Sequence, residues 1–341
     1  ELKAYADAEF YKLAEHKIIA GAIYLIGRQQ FRENIELIRD LVTNDTVRVI
    51  LSNPAEGSDT LRLHCKQFGV HDLVQSGKIL ILGGGDMDPS YTCLQYDSFL
   101  PKILDYSENI AAIGRSPEIH ARTNKPFKFL FLNGRDRSHR KYLLENFAST
   151  GLLSQAIWTC LDTKMGNIKL LDPKYEYADY RDNSVTTADR FVKNQLFANT
   201  WGEIYLNAEP YIDTYFSLVT ETVFNYPYSF RTEKIWKPIA MGHPWIAVAN
   251  QGYYRDMHNL GFKTFGHVID ESFDTIEDNQ KRLQRIAEVV TDLCTQDLAE
   301  FLQECYNMCK YNQQHLAELR TIVRKELPAR FTQFVTKYIN E

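Results

Sequence analysis

Apolar and polar positions fall along this chain in blocks that suit buried strands separated by amphipathic helices. The run IIAGAIYLIG over 18–27 is apolar almost throughout, as a strand covered on both faces would be. Phe31, Ile35, Ile38, Leu41 and Val42 then recur at helical spacing. VRVILSNP over 47–54 and KILILGGG over 78–85 read as the second and third strands. An amphipathic helix is expected over 1–16, with Tyr5, Phe10, Leu13 and Ala14 on one side. Further helices are expected over Asp59–Phe68 and Tyr91–Tyr106, the latter broken by Pro101. Strand and helix alternate, which implies a parallel sheet covered on both faces. The strands end at Gly27, Ser52 and Gly83, so the loops after them share one rim.

The polar segment GRSPEIHARTNKP over 114–126 holds two prolines and marks a domain boundary near 120. The expected domains are therefore 1–120 and 121–341. A second series begins with the strand FKFLFLNG over 127–134, a helix from Ser138 and a short strand over Ala156–Thr159. A polar excursion over 163–186 and a helix over Phe191–Asn199 follow. Tyr215–Val219 is the next strand, and Thr232 caps a helix that begins at Glu233. Trp245–Val248 is a buried strand between Pro244 and Asn250. A helix near Tyr253–Leu260, a short strand at Phe265–Ile269 and closing helices separated by Pro328 complete the pattern. The fold class is α/β: two Rossmann-like domains facing across a cleft, with C-terminal helices. Ligands of such sheets sit at the strand carboxyl ends.

A net charge of −5 gives no global basic field, so nucleic acid is not an expected partner and any polyanion site must be local. The six cysteines are scattered without a CxxC pair, which points to reduced thiols and a cytoplasmic location rather than a disulfide or zinc framework. The longest apolar run is too short to span a bilayer. Arg320, Arg324, Lys325, Arg330 and Lys337 stand among apolar residues near the end. That pattern suits helices covering the domains, or weak peripheral membrane contact.

Two local clusters break the acidic background. Asn133-Gly134-Arg135-Asp136-Arg137-Ser138-His139-Arg140-Lys141 follows a strand and opens a helix. Gly134 allows a turn and close backbone approach, and arginine forks match phosphate oxygens in pairs. With the free N–H groups of a helix start, the cluster suits a pyrophosphate. It is also consistent with a solvated basic helix start, and it is neither G-x-G-x-x-G nor a P-loop. In the second cluster, Glu221 ends a strand while Thr232, Glu233 and Lys234 open the next helix. A lysine there suits a bound anion, and the glutamate beside it can accept ribose hydroxyls. A surface Glu-Lys pair is the plainer reading of the same residues. His139 can donate to phosphate or lie at the surface.

FLNGRDRSHRKYLLENF followed by SLVTETVF and FRTEKIWKPIAMGHPWIAVA resembles the nucleotide-sugar-binding half of α1,3-fucosyltransferases and their bacterial and viral relatives. The matching positions are Glu221, Phe230-Arg231, Thr232, Glu233 and Lys234, together with Asn133 and Arg140 ahead of Tyr142 and Leu143. The resemblance spans residues 127–275. It implies the GT-B fold, a nucleotide-sugar donor and inverting transfer to a hydroxyl acceptor on a glycan or other molecule. A GDP-sugar, first GDP-fucose, is favoured over a UDP-sugar. It places Arg140 and Lys234 on the pyrophosphate, Glu233 on the ribose and Glu221 near the transferred sugar. Asn133, Arg135, Arg137 and Thr232 complete the donor set. Val219-Thr220-Glu221-Thr222 departs from the family's Phe-Glu-Asn-Ser strand end, which touches the sugar end more than the phosphate end. A non-catalytic nucleotide-sugar or glycan-binding protein is the alternative from another class.

Gly83-Gly84-Gly85-Asp86-Met87-Asp88-Pro89 follows the third strand. Asp86 and Asp88 can stabilise a turn through their own backbone, act as the general base that inverting transfer requires, or ligate Mn²⁺ or Mg²⁺. Glu56 is a further candidate base. The catalytic candidates are thus Asp86, Asp88 and Glu221, and the scheme requires no metal.

Overall fold

The computed structural model describes residues 18–54, 57, 65–135, 137–160 and 206–339. The helices expected over 1–16 and 191–199, the excursion at 163–186, most of the helix expected over 59–68, Glu56 and Asp136 lie outside them. The chain divides into two compact units. The first holds the described residues through Ser98, with Tyr228–Phe230 and the chain from Arg324 onward. The second holds the remainder.

In the first unit, β1 (Ile23–Gly27), β2 (Arg48–Asn53), β3 (Ile79–Gly83) and β4 (Cys93–Gln95) form a parallel sheet in that order. Helices α1 (Arg28–Glu33) and α2 (Ile35–Thr43) replace the single one expected over 31–42, because Asn34 leaves helical geometry at φ −120°. Helix α3 (His71–Gln75) precedes β3. Alternation along β2 and β3 gives the sheet two faces. Val49, Leu51, Ile79 and Ile81 pack with Phe31, Ile38 and Val42, while Ile50, Leu80 and Leu82 face the end of the C-terminal helix.

The expected helix over 91–106 is corrected. Cys93–Gln95 pairs in parallel with Ile81–Gly83 instead, and helix α4 begins only at Phe99 and ends at Ile103. Helices α5 (Ser107–Gly114) and α6 (Pro117–Ala121) follow. The first unit therefore stops at Ser98, not near 120, since α4 and α5 pack on a helix of the second unit, Glu233–Met241.

The second unit is built on β5 (Phe127–Asn133), β6 (Ala156–Cys160), β7 (Thr214–Thr220) and β8 (Trp245–Val248), all parallel, in the order β6-β5-β7-β8. Helix α7 (Ser138–Ser149) links β5 to β6. Helix α8 (Glu209–Ile212) leads into β7, and α9 (Glu233–Met241) links β7 to β8. Phe129 stacks on Phe216 at 5.5 Å across β5 and β7. The chain steps from β5 outward to β6, then returns to the other side of β5 as β7. Strand order reverses there, and such a switch point opens a crevice at the carboxyl ends of the two strands.

Helices α10 (Tyr253–Asn259), α11 (Asn279–Leu293) and α12 (Leu298–Ile339) complete the fold. Phe265–Ile269 is a turn rather than the expected strand, because the Val268 and Ile269 amides both donate to the Phe265 carbonyl. The break expected at Pro328 does not occur. Helix α12 runs through it, and the lost hydrogen bond is offset by burial of Leu327 and packing of Phe331, Phe334 and Val335 on the sheet of the first unit. No described helix is long and apolar enough to cross a membrane.

Candidate functional site

Asn133 closes β5 and ties three strands together. Its amide N–H donates to the Thr159 hydroxyl at 2.8 Å, and its side-chain oxygen accepts the Thr220 hydroxyl at 3.0 Å. It is fully buried and holds the carboxyl ends of β6 and β7 against β5. A Cβ at Gly134 would meet no protein atom, and its φ lies outside the left-handed region. The fold of this turn therefore does not itself demand glycine.

Helix α7 starts immediately beyond this turn. Arg135 and Arg137 are exposed, whereas Arg140 is 3% exposed. The Arg140 guanidinium donates through Nη1 to the Arg135 carbonyl at 2.9 Å, and through Nη2 to those of Thr220 at 3.0 Å and Glu221 at 3.3 Å. Its Nε is buried without a partner, and no carboxylate pairs with it among the described residues. Burial pulls Arg140 down to about 10, helped by Arg137 and opposed by Glu221 and Glu233, so it stays charged near neutrality. His139 is buried too, not a surface residue. Its Nε2–H donates to the Glu221 carbonyl at 3.0 Å, and burial, reinforced by Arg140, holds the ring neutral, down to about 3.

Glu221 directly follows β7 and is completely buried. Its Oε2 accepts the Thr232 hydroxyl at 2.7 Å and the Thr222 amide at 3.3 Å. Its Oε1 accepts the Thr232 amide at 3.1 Å and the Tyr253 hydroxyl at 3.2 Å. Burial raises this carboxyl above its usual range, against the pull of Lys234 and Thr232. Thr232 caps α9 as expected, accepting the Lys234 amide at 3.3 Å. The Lys234 ammonium, half-buried, lies 2.5 Å from Glu233 Oε1 and 3.2 Å from the Thr232 hydroxyl. Burial pushes Glu233 up, but Lys234 and Lys237 outweigh it and its carboxyl titrates below the ordinary value. Arg140, Glu221, Thr232, Glu233 and Lys234 therefore belong to one constellation at the carboxyl ends of β5 and β7.

Three of its members carried no mark in the sequence. Tyr253, at the start of α10, bonds Glu221. Phe224 meets the His139 ring at 5.2 Å and the Arg282 guanidinium at 4.5 Å. Arg282 is 1% exposed on α11, four residues before Ile286 on the buried stripe. An arginine on the apolar face of an amphipathic helix was the available signal.

Asp86 and Asp88 belong to the first unit. Asp88 forms the turn that its sequence allows, its Oδ1 accepting the Ser90 amide at 2.9 Å and hydroxyl at 2.7 Å. The Asp86 amide donates to the Ser229 carbonyl at 2.7 Å. Gly85 has φ +70°, and a Cβ on it or on Gly84 would collide with the main chain of Ser229 and Pro54 respectively, so these glycines permit the close packing of Phe230. Among the described residues no three His, Cys, Asp or Glu side chains gather as a metal site would need. Comparison with known protein families, with characterised proteins and with solved structures finds no match to this chain.

Proposed function

We propose that this chain is a glycosyltransferase of the GT-B class, moving a sugar from a nucleoside-diphosphate donor to a hydroxyl on a glycan or other acceptor. GDP-fucose is the first donor to test, and another GDP- or UDP-sugar the next. The observation that carries the reading is Arg140. It is a buried guanidinium at the switch point between β5 and β7, bonded among the described residues only to main-chain carbonyls, with Nε unpaired. A buried cation that no carboxylate bonds directly among the described residues is costly, and a phosphate oxygen would relieve it. Lys234 at the head of α9, Arg135 and Arg137 add positive charge to the same unit, and the α7 and α9 starts add N–H groups.

The reaction is a direct displacement. The acceptor oxygen bonds to the anomeric carbon as the carbon–oxygen bond to the diphosphate breaks, and the acceptor proton passes to a carboxylate base. Arg140, Lys234 and the helix N-termini stabilise the charge that grows on the leaving diphosphate. Asp86 is the first candidate base to test, ahead of Asp88 and Glu56. Thermal shift with GDP, UDP, CMP and their sugars tests the reading: a ligand at 100 times its Kd stabilises by about 2.7 kcal/mol, and a melt that no nucleotide moves rejects it.

A binding protein without catalysis is the second reading, and one observation favours it. The carboxylates of Glu221 and Asp88 are already engaged by protein donors. Turnover of a bound nucleotide-sugar, by transfer or hydrolysis, would reject it.

A further inference from the structure

Phe224 lies three residues beyond Glu221 in the chain leaving β7, and two basic side chains close on it. The His139 ring stacks against it with planes 18° apart, and the Arg282 guanidinium lies 4.5 Å from the ring centre. Each also bonds the main chain of the same segment. His139 Nε2–H donates to the Glu221 carbonyl at 3.0 Å, and Arg282 Nη2 donates to the Phe224 carbonyl at 2.8 Å. Arg282 carries the tie further. Its Nη1 reaches the Ile276 carbonyl at 2.8 Å and its Nε the Ala249 carbonyl at 3.3 Å. The segment after β7 is thus fastened to the chain leaving β8 and to the approach to α11.

The same segment supplies the carbonyls that hold Arg140. Thr220 and Glu221 both accept from Nη2, and the Glu221 carbonyl is shared with His139. A buried guanidinium aims its remaining N–H only as well as its acceptors are fixed. We propose that His139 and Arg282 are positioning residues for the anion site, holding the Thr220–Phe224 main chain so that its carbonyls orient Arg140 with Nε left for a phosphate oxygen. The inference rests on the reading of Arg140 as the diphosphate ligand.

A double-mutant cycle on the full chain, read by isothermal titration with GDP, tests it. Arg282→Met and His139→Phe should each weaken GDP binding about tenfold in the wild-type background, a loss of about 1.4 kcal/mol. In an Arg140→Ala background each should change affinity by less than about twofold. His139→Gln, which keeps an N–H donor, should recover some of the loss. Should Arg282→Met fail to fold, the His139 series and Phe224→Leu carry the same comparison. Equal losses in both backgrounds, or folded variants with unchanged affinity, would overturn the positioning role while leaving the diphosphate site intact. Wild-type protein that binds neither GDP nor pyrophosphate would remove both.

Discussion

The Glu221 carboxylate lies beneath the cap of α9, with the Thr232 hydroxyl 2.7 Å from Oε2 and the Thr232 amide 3.1 Å from Oε1. One side chain thereby joins the end of β7 to the start of the following helix. This makes Glu221 a brace for the residues that carry Lys234, whatever else it does. Glu221→Ala strips acceptors from the half-buried Thr222 amide and from buried donors on Thr232 and Tyr253, the buried ones each worth about 1–3 kcal/mol when orphaned. A loss of at least about 3 kcal/mol in urea unfolding is expected. Glu221→Gln, which retains one acceptor oxygen, should lose less. A Glu221→Ala protein as stable as the wild type would refute the bracing role.

Arg140 should be the most sensitive position for ligand. Arg140→Ala removes both the charge and the fork, and a loss of at least about 100-fold in GDP affinity is expected. Arg140→Lys keeps the charge but cannot bond three carbonyls and a phosphate together, so it should recover little. Lys234→Ala should weaken binding too, by a smaller factor that shrinks as salt rises, because Lys234 is partly exposed and already paired with Glu233. Titration of the three variants at two salt concentrations decides it.

Much of this site was legible because local chemistry determined it. Thr232 before Glu233-Lys234 suited a cap and is one, and Trp245–Val248 is a strand at the expected residues. The end of β5 and the start of α7 were equally plain, since a buried run ended at Asn133 and helical spacing resumed at Ser138. What failed depended on distant partners. Cys93–Gln95 became a strand because β3 offered an open edge, and Pro328 stayed inside a helix because Leu327 and Phe331 found the sheet. Arg282 and Tyr253 were silent because their partners, Phe224 and Glu221, are 58 and 32 residues away.

Lys125 offers a test remote from the ligand. Its ammonium is buried, donating to the Ile212 carbonyl at 2.6 Å, while the neighbouring Asp213 carboxylate pairs with Arg122. Burial, reinforced by Arg122, lowers Lys125 from 10.5 to about 7. Between those values the unfolded chain binds the extra proton, so this group's contribution to stability rises with pH. Below about 7 the lysine is charged in both states and its full burial penalty applies. Lys125→Met should therefore stabilise the protein most at or below neutral pH, and the gain should fade towards pH 10.5. Denaturant melts across that range measure it, and a gain independent of pH would show that Lys125 does not titrate as described.

The two aspartates after β3 should separate cleanly if the chain is a transferase. Asp88 holds the Ser90 amide and hydroxyl through one oxygen, a geometry that asparagine reproduces with its side-chain carbonyl. Asp88→Asn should therefore leave donor binding and turnover within about twofold of wild type. Asp86 uses its main-chain amide to hold Ser229. Asp86→Asn keeps that bond and removes the carboxylate, so GDP affinity should be unchanged while kcat falls by about 100-fold or more. A lost general base also removes the acidic limb of the rate profile, whereas a damaged turn lowers the rate at every pH. Measuring kcat against pH for both variants separates these causes. If Asp86→Asn turns over normally, the proton goes to another carboxylate, and Glu56, which follows β2 in the sequence, is the next to substitute.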